Sequence, residues 1–397
     1  MNTTTKPAGF ITTPLLLLTI GHFVTDLSQG ALPILLPYLK ELFSLSYAQI
    51  GTIILIQNLT SSVIQPLFGY LTDKVSLPWL LPTGILLAGT GFALTGFAPS
   101  YPLLLMIVIL TGLGVASFHP QASRSANLVS HPAVRGRSMG LFSVGGNFGM
   151  ASGSMAMTLL LLLPGGLHNT IWFLLPASLT ALAFLQFRRH LTIHSDIKKE
   201  QAAHQSPTQS SVPKALLAIL LLFIFIRSSI HTGLSTYIPL YYINYLNGDP
   251  LYASYLLTIF LLGGVAGTFC GASLSDRFGR KMIILVSMLV SFPLIALIPL
   301  TSGLITLLLV SVIGFALISS FATTVVLAQE MMPNRIGMAA GLTIGFSIGL
   351  GGLGATLLGA FADRFGIADV FTVLAVLPLA GALCVLKLPG KLFPFRQ

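Results

Sequence analysis

Ionisable side chains occur inside stretches of sequence that are otherwise suited to hydrocarbon. His22 and Asp26 are four residues apart in TIGHFVTDLSQGALPILLPYL, and Arg227 and His231 have the same spacing in a second apolar stretch. Four residues is about one helical turn, so each pair shares a helix face. A carboxylate beside an imidazole in a low dielectric can exchange a proton near neutral pH. A guanidinium stays charged and binds carboxylate or phosphonate through its planar fork.

We therefore predict that Asp26 carries a proton and that His22 tunes it. The alternative is a static ion pair between Asp26 and Arg227 that only holds two parts of the molecule together. A second set of residues is predicted to bind a small anionic or zwitterionic substrate. This set comprises Arg227, Arg124, His119, His231, Gln121 and Asn147. For both arginines the alternative is that each guanidinium only pairs with neighbouring carboxylates or carbonyls.

The stretch SFHPQASRSAN, residues 117–127, contains a proline between two of these candidates. Pro120 removes a helix hydrogen bond and should kink the helix near His119. A kink would let side chains turn toward a central cavity.

The elements that position these residues are transmembrane helices. The chain is 54% hydrophobic and 8% charged, with a mean hydropathy of +0.90, whereas soluble domains are roughly 45–50% apolar and about 25% charged. Long apolar runs without strand-like alternation predict helices and not a barrel. The fold class is therefore an all-α membrane protein with twelve transmembrane helices. The predicted spans are 12–39, 47–71, 79–98, 102–128, 138–163, 171–187, 215–246, 251–275, 282–299, 304–330, 337–362 and 370–388.

The net charge of +10 is explained by topology. Most of the twenty Lys and Arg residues fall in alternate loops, and the positive-inside rule then places both termini in the cytoplasm. No nucleic-acid partner is needed to account for the charge. Two cysteines in apolar helices make no metal site. The sequence from Gly136 to Gly140 matches G-x-S-x-G but opens a predicted helix instead of following a strand, so we predict no enzyme and no cofactor.

An internal repeat divides the chain. Residues 1–187 and 215–397 are predicted to form two six-helix bundles, joined by a polar cytoplasmic linker at 188–214. Landmarks recur at an almost constant offset, such as Pro37 with Pro239 and Asp73 with Asp276. A parallel repeat of six helices is typical of the major facilitator architecture, in which two bundles rock around a site near mid-membrane.

Two loops at equivalent places in the repeat resemble the major facilitator loop motif G-x-L-x-D-R-x-G-R-K. They read GYLTDK (69–74) and ASLSDRFGRK (272–281). The resemblance implies that the Asp meets a helix terminus and that the basic residues hold neighbouring helix ends. The predicted gating residues are Asp73, Lys74, Asp276, Arg277, Arg280 and, at the end of the tenth span, Glu330. A third DRFG, at 363–366, is expected to be only a solvated turn.

Glycines repeat every four residues on three predicted helices. The ladders are 145/149/153, 263/267/271 and 341/345/349. Such faces allow close helix packing, and we expect them between the two halves, with static packing as the alternative.

The N-terminal half resembles a particular branch of this superfamily. HFVTDLSQGALPILLPYL, GLGVASFHPQASR and LFSVGGNFGMASG, in this order, look like the fosmidomycin-resistance proteins. The resemblance implies a bacterial inner-membrane exporter that exchanges protons for drug, with a phosphonate antibiotic as the name-giving substrate. Members commonly read H-P-E where this chain has Gln121, and Gly-Pro where it has Gly153-Ser154.

The predicted function is proton-coupled export of a small anionic or amphiphilic compound by a monomer in the lipid bilayer, with the proton gradient as the energy source. One alternative is a proton-coupled importer of an organic acid or siderophore. Another, from a different class, is a lipid-handling or sensor membrane protein.

Overall fold

The structure, a computed structural model, describes residues 11–75, 77–131, 135–187, 214–332 and 336–388. These residues are helical apart from short turns, and no strand occurs among them. The α-helices are α1 Thr13–Phe43, α2 Tyr47–Ser62, α3 Gln65–Lys74, α4 Leu80–Thr95, α5 Tyr101–Val129, α6 Arg135–Leu161, α7 Leu174–Gln186, α8 Lys214–Leu240, α9 Pro250–Phe278, α10 Arg280–Leu297, α11 Gly303–Met331, α12 Ile336–Phe365 and α13 Ile367–Lys387.

These helices form the twelve predicted spans. The second span is α2 followed by α3, and the break between them precedes Pro66, which cannot continue the hydrogen-bond ladder. The sixth span joins the 3-10 segment Gly166–Phe173 to α7, and α8 continues into the π-helical segment Tyr241–Tyr245. Nine of the described helical stretches are long and apolar enough to cross a bilayer, and α4, α6 and α12 complete the twelve. The all-α membrane fold is confirmed.

Helices of each half pack mainly with one another. In the first half α1 lies along α6 and α4 lies against α5, and in the second half α9 packs on α11 and α8 on α12. Contacts between the halves are made by α2 with α12, by α6 with α9 and by α1 with α8. The predicted linker at 188–214 lies, apart from Lys214, outside the described residues, so the domain division stays a prediction.

Two of the three glycine ladders lie within a half, contrary to expectation. A Cβ added at Gly145, Gly149 or Gly153 would meet the backbone of α1, and one added at Gly263, Gly267 or Gly271 would meet the backbone of α11. In the third ladder, Gly349 faces α2 of the other half. The structure does not describe the surroundings of Gly341 and Gly345. The close approach between halves is instead made by Gly51 and Gly352, whose neighbours are backbone atoms of α12 and α2 respectively.

Candidate functional site

Asp26 lies at the centre of a buried cluster formed by α1 and α5. Its side chain accepts hydrogen bonds at Oδ1 from His119 Nε2 and from Gln29 Nε2, both at 2.9 Å. His22 Nε2 lies 3.3 Å from Oδ2. Asp26 is 6% exposed, so these contacts replace the water that the carboxylate gives up on burial. His22, Asp26, Gln29 and His119 are called the Asp26 cluster below.

His22 is held from both sides of its ring. Nδ1 lies 2.8 Å from the carbonyl oxygen of Phe142 on α6, and the imidazole stacks on the Phe142 ring with centroids 4.2 Å apart. A carbonyl oxygen only accepts, so Nδ1 carries a hydrogen. A hydrogen between Nε2 and Oδ2 would belong either to a protonated imidazole beside a carboxylate or to a protonated carboxyl beside a neutral imidazole. In both cases the pair of His22 and Asp26 would hold one proton more than a neutral histidine and a carboxylate.

His119 needs no extra proton. Its Nε2–H donates to Asp26, while Nδ1 lies 3.5 Å from Gln65 Nε2, where a lone pair can accept. A neutral imidazole with its hydrogen on Nε2 satisfies both contacts. Gln65 also donates to the carbonyl of Ser61 beside the break between α2 and α3. His22 and Asp26, and not His119, are therefore the members of the cluster whose contacts leave room for an additional proton.

The space around the Asp26 cluster is closed by a glycine of α6. A Cβ built on Gly146 would lie 2.6 Å from Asp26 Oδ2 and closer still to His22 Nε2. Only glycine lets α6 approach α1 here without displacing the paired side chains.

Arg227 is the central feature of the second half. The residue is 2% exposed, and its guanidinium donates to the hydroxyls of Ser347 on α12 and Ser228 on α8. The two hydroxyls are 2.6 Å apart, and the guanidinium carbon lies 4.9 Å from the centre of the Phe321 ring. Arg227 Nε is buried without a hydrogen-bond partner, and within the described residues no carboxylate pairs with the side chain. The site is therefore a buried cation whose charge is not balanced by those residues.

Asp26 and Arg227 form no ion pair among the described residues, although a static pair is the alternative considered from the sequence. The ion-pair partners of Asp26 are His22 and His119, both in the first half. Asp26 lies on α1 and Arg227 on α8, and these two helices contact each other across the halves.

The other candidate ligands have different surroundings. His231 lies one turn beyond Arg227, with its ring centroid 5.3 Å from that of Phe260. Gln121 is buried, donates to Ser125 Oγ and has an Oε1 atom without a partner among the described residues. Arg124 is half-buried on α5, and Asn147 is exposed on α6.

The predicted gating residues whose side chains the structure describes lie at the α9–α10 junction. Asp276 is 72% exposed and pairs with Arg280 at 2.7 Å, and Arg277 lies over the Phe278 ring. The neighbouring Lys281 donates to the last carbonyls of α13, so a basic residue of this motif does hold a helix end. The side chains of Asp73, Lys74 and Glu330 lie outside the description.

The third DRFG is not the solvated turn expected from the sequence. The Asp363 carboxylate, at the end of α12, accepts hydrogen bonds from the backbone N–H groups of Tyr47 and Ala48 at the start of α2. The sequence offered a signal for Gln29, which lies three residues after Asp26 on one helix face. It offered none for Gln65, Ser347 or the Asp363 contact, because these partners come from distant helices.

Comparison with known proteins supports the fold and the family. The model of the Major Facilitator Superfamily matches residues 18–353 and 245–392. The chain is 35% identical over 391 residues to YfnC of Bacillus subtilis, described as an uncharacterized MFS-type transporter, covering 97% of this chain and 95% of that protein. It is also 35% identical over 370 residues to the fosmidomycin resistance protein of Escherichia coli, covering 93% and 91%.

Solved structures share the architecture at low sequence identity. A bacterial homolog of the human lysosomal transporter Spinster, in an inward-facing and occupied conformation, superposes with a TM-score of 0.79 at 16% identity, covering 96% of this chain and 97% of that one. A D-xylose–proton symporter superposes with a TM-score of 0.75 at 15% identity, covering 96% and 99%. The resemblance noted in the sequence is thus confirmed: the chain belongs to the major facilitator superfamily of membrane transporters and is similar to its fosmidomycin-resistance proteins.

Proposed function

We propose that the chain is a proton-coupled transporter of a small anionic compound, and that it works as an exporter by alternating access. The observation that carries the proposal is the placement of His22 between the Phe142 carbonyl and the Asp26 carboxyl, which supports an exchangeable proton in a buried site. Ionisable groups at this depth are costly and usually belong to an ion or substrate path.

The proton has a structural effect in this cluster. With the proton on His22, the imidazolium donates to Phe142 and forms an ion pair with Asp26, which also accepts hydrogen bonds from Gln29 and His119. Without it, the Nε2 lone pair would face a carboxylate oxygen at 3.3 Å, and the two would repel. His22 also holds α1 to α6 through its Nδ1 contact with Phe142, so repulsion at Nε2 acts on the contact between these two helices. A change in proton occupancy would thus shift the population of the two access states.

The anion is proposed to bind at Arg227. A buried guanidinium with hydroxyl neighbours and a free Nε offers directed donors to a carboxylate or phosphonate. An anionic ligand would also balance a charge that is costly to bury alone. The name of the fosmidomycin resistance protein of Escherichia coli supports a phosphonate as the substrate and export as the direction.

A proton-coupled importer is the second candidate, and the charges favour it. When protonated, the pair of His22 and Asp26 is neutral and leaves Arg227 free to attract an anion. When deprotonated, the pair has a charge of −1, which disfavours the approach of an anion. This arrangement promotes joint binding of proton and anion, which is the requirement for symport.

Proteoliposomes with a pH dye in the lumen test coupling and direction together. A phosphonate such as fosmidomycin is added outside to vesicles with wild type, Asp26→Asn or the control Asp369→Asn, which removes an exposed carboxyl at the start of α13. Exchange makes the lumen more alkaline as the compound enters, and symport makes it more acidic. We expect alkalinisation that is lost in Asp26→Asn and kept in Asp369→Asn. Uptake without proton movement, or normal coupling in Asp26→Asn, would overturn the proposal.

A further inference from the structure

The start of α2 is capped by two different parts of the chain. Ser46 N donates to Gln49 Oε1 at 2.9 Å, and Gln49 N donates to Ser46 Oγ at 3.2 Å, which is a capping box. The two remaining amides of this turn donate to one carboxylate: Tyr47 N to Asp363 Oδ1 at 2.6 Å and Ala48 N to Oδ2 at 2.9 Å. Helix starts leave such N–H groups without intrahelical partners, and here all four are satisfied.

The carboxylate in this cap belongs to the second six-helix half of the molecule, whereas α2 belongs to the first. Asp363 stands at the end of α12, more than 300 residues from α2. The positive end of a helix dipole favours a carboxylate at this position. The contact lies at the end of the molecule that the topology predicts to be periplasmic, called the periplasmic end below. At this end Asn244 also donates to Glu41, which joins the segment after α8 to α1.

We propose that Asp363 is a latch that stabilises the state in which the periplasmic end is closed. The α2 cap is complete only while α12 lies against α2, so separation of the halves exposes the amides of Tyr47 and Ala48. The proposal rests on the alternating access included in the proposed function, but not on the proton or the substrate.

A second copy of the same four residues shows that this pairing is not a property of the motif alone. Asp276 in the DRFG at 276–279 pairs with Arg280, the first residue of the next helix in its own half. In the copy at 363–366, Arg364 lies over the Phe365 ring and the carboxylate reaches across to α2. Identical residues therefore make a local contact in one place and a contact between halves in the other.

Labelling of a cysteine beside the contact between α2 and α12 measures the latch. The backbone of Thr356, a half-buried residue on α12, lies against Gly51 of α2, so Thr356→Cys, in a protein whose Cys270 and Cys384 are replaced by Ser, reports opening as an increase in its rate of reaction with a membrane-impermeant maleimide. Asp363→Ala should raise the labelling rate about fivefold, the ratio equivalent to a typical cap energy of about 1 kcal/mol. Asp363→Asn keeps one acceptor oxygen and should have a smaller effect.

The control is Asp369→Ala, which removes an exposed carboxyl six residues further along, and it should leave the rate unchanged. Equal labelling of Asp363→Ala and the parent protein, or an equal increase in Asp369→Ala, would overturn the latch. If Asp363→Ala does not fold, the comparison rests on Asp363→Asn, for which a parental labelling rate counts against the latch. The measurement needs neither substrate nor pH gradient, so its outcome is independent of whether transport is proton-coupled.

Discussion

The substitution Gly146→Ala tests whether the geometry of the Asp26 cluster is required for transport. An added Cβ would lie 2.6 Å from Asp26 Oδ2, whereas an ordinary contact is 3.4–4 Å. The carboxylate or the His22 ring must therefore move by about 1 Å, which is enough to break a hydrogen bond between them. Gly140, on the same helix, has no atom within 4 Å of its Cβ position and provides the matched control Gly140→Ala.

The size of the effect follows from the bond that is lost. A hydrogen bond to a charged group contributes about 1.5–3 kcal/mol, which corresponds to roughly a 10- to 150-fold change in the population of the paired state. Alanine is the better helix former by about 0.5–1 kcal/mol, so neither substitution should weaken α6 through its backbone. A loss of transport in Gly146→Ala would thus come from the cluster and not from the helix.

The assay is the initial rate of substrate-evoked proton movement in proteoliposomes, measured at several pH values, together with the thermal unfolding midpoint of each variant in detergent. We expect the initial rate of proton movement to fall by about tenfold or more in Gly146→Ala and to stay near the wild-type rate in Gly140→Ala. Identical rates and pH profiles for the two variants would refute the reasoning. So would a loss of transport that is matched by a loss of folding in Gly146→Ala.

Three other substitutions have defined outcomes. Arg227→Lys removes the planar fork and should weaken binding of a phosphonate by about tenfold or more, read from the thermal shift that the ligand produces, with an unchanged shift counting against the anion site. Gly51→Val places side-chain atoms against the backbone of α12 and should keep the periplasmic end open, so that transport falls and maleimide labelling of Thr356→Cys rises; unchanged labelling would contradict it. Lys281→Met removes the donor to two carbonyls at the end of α13 and should lower the free energy of unfolding by about 1–3 kcal/mol. A denaturation curve that matches wild type would contradict this last expectation.

Several properties of the protein could be read from the sequence because their causes are local. A bilayer requires about 20 apolar residues per helix, and that length is visible in the chain as twelve runs. A charged side chain in such a run is expensive wherever the helix packs, so Asp26 and Arg227 could be selected before any contact was known.

Partners between helices could not be read in the same way. A spacing of four residues shows that His22 and Asp26 share a face, but not that His119 of α5 completes the cluster. The same limit applies to Arg227, whose neighbours Ser347 and Phe321 come from two other helices.

The sequence by itself determined the membrane fold, the number of spans and the residues that do not belong in hydrocarbon. Only the tertiary structure decided that Asp26 pairs with histidines and not with Arg227, that two glycine ladders pack within the halves, and that Asp363 caps a helix of the other half. The physical reason is that hydropathy and helical periodicity depend on neighbours along the chain. The choice of a partner depends on which helices lie side by side and at what height, and the packing of the whole bundle sets both.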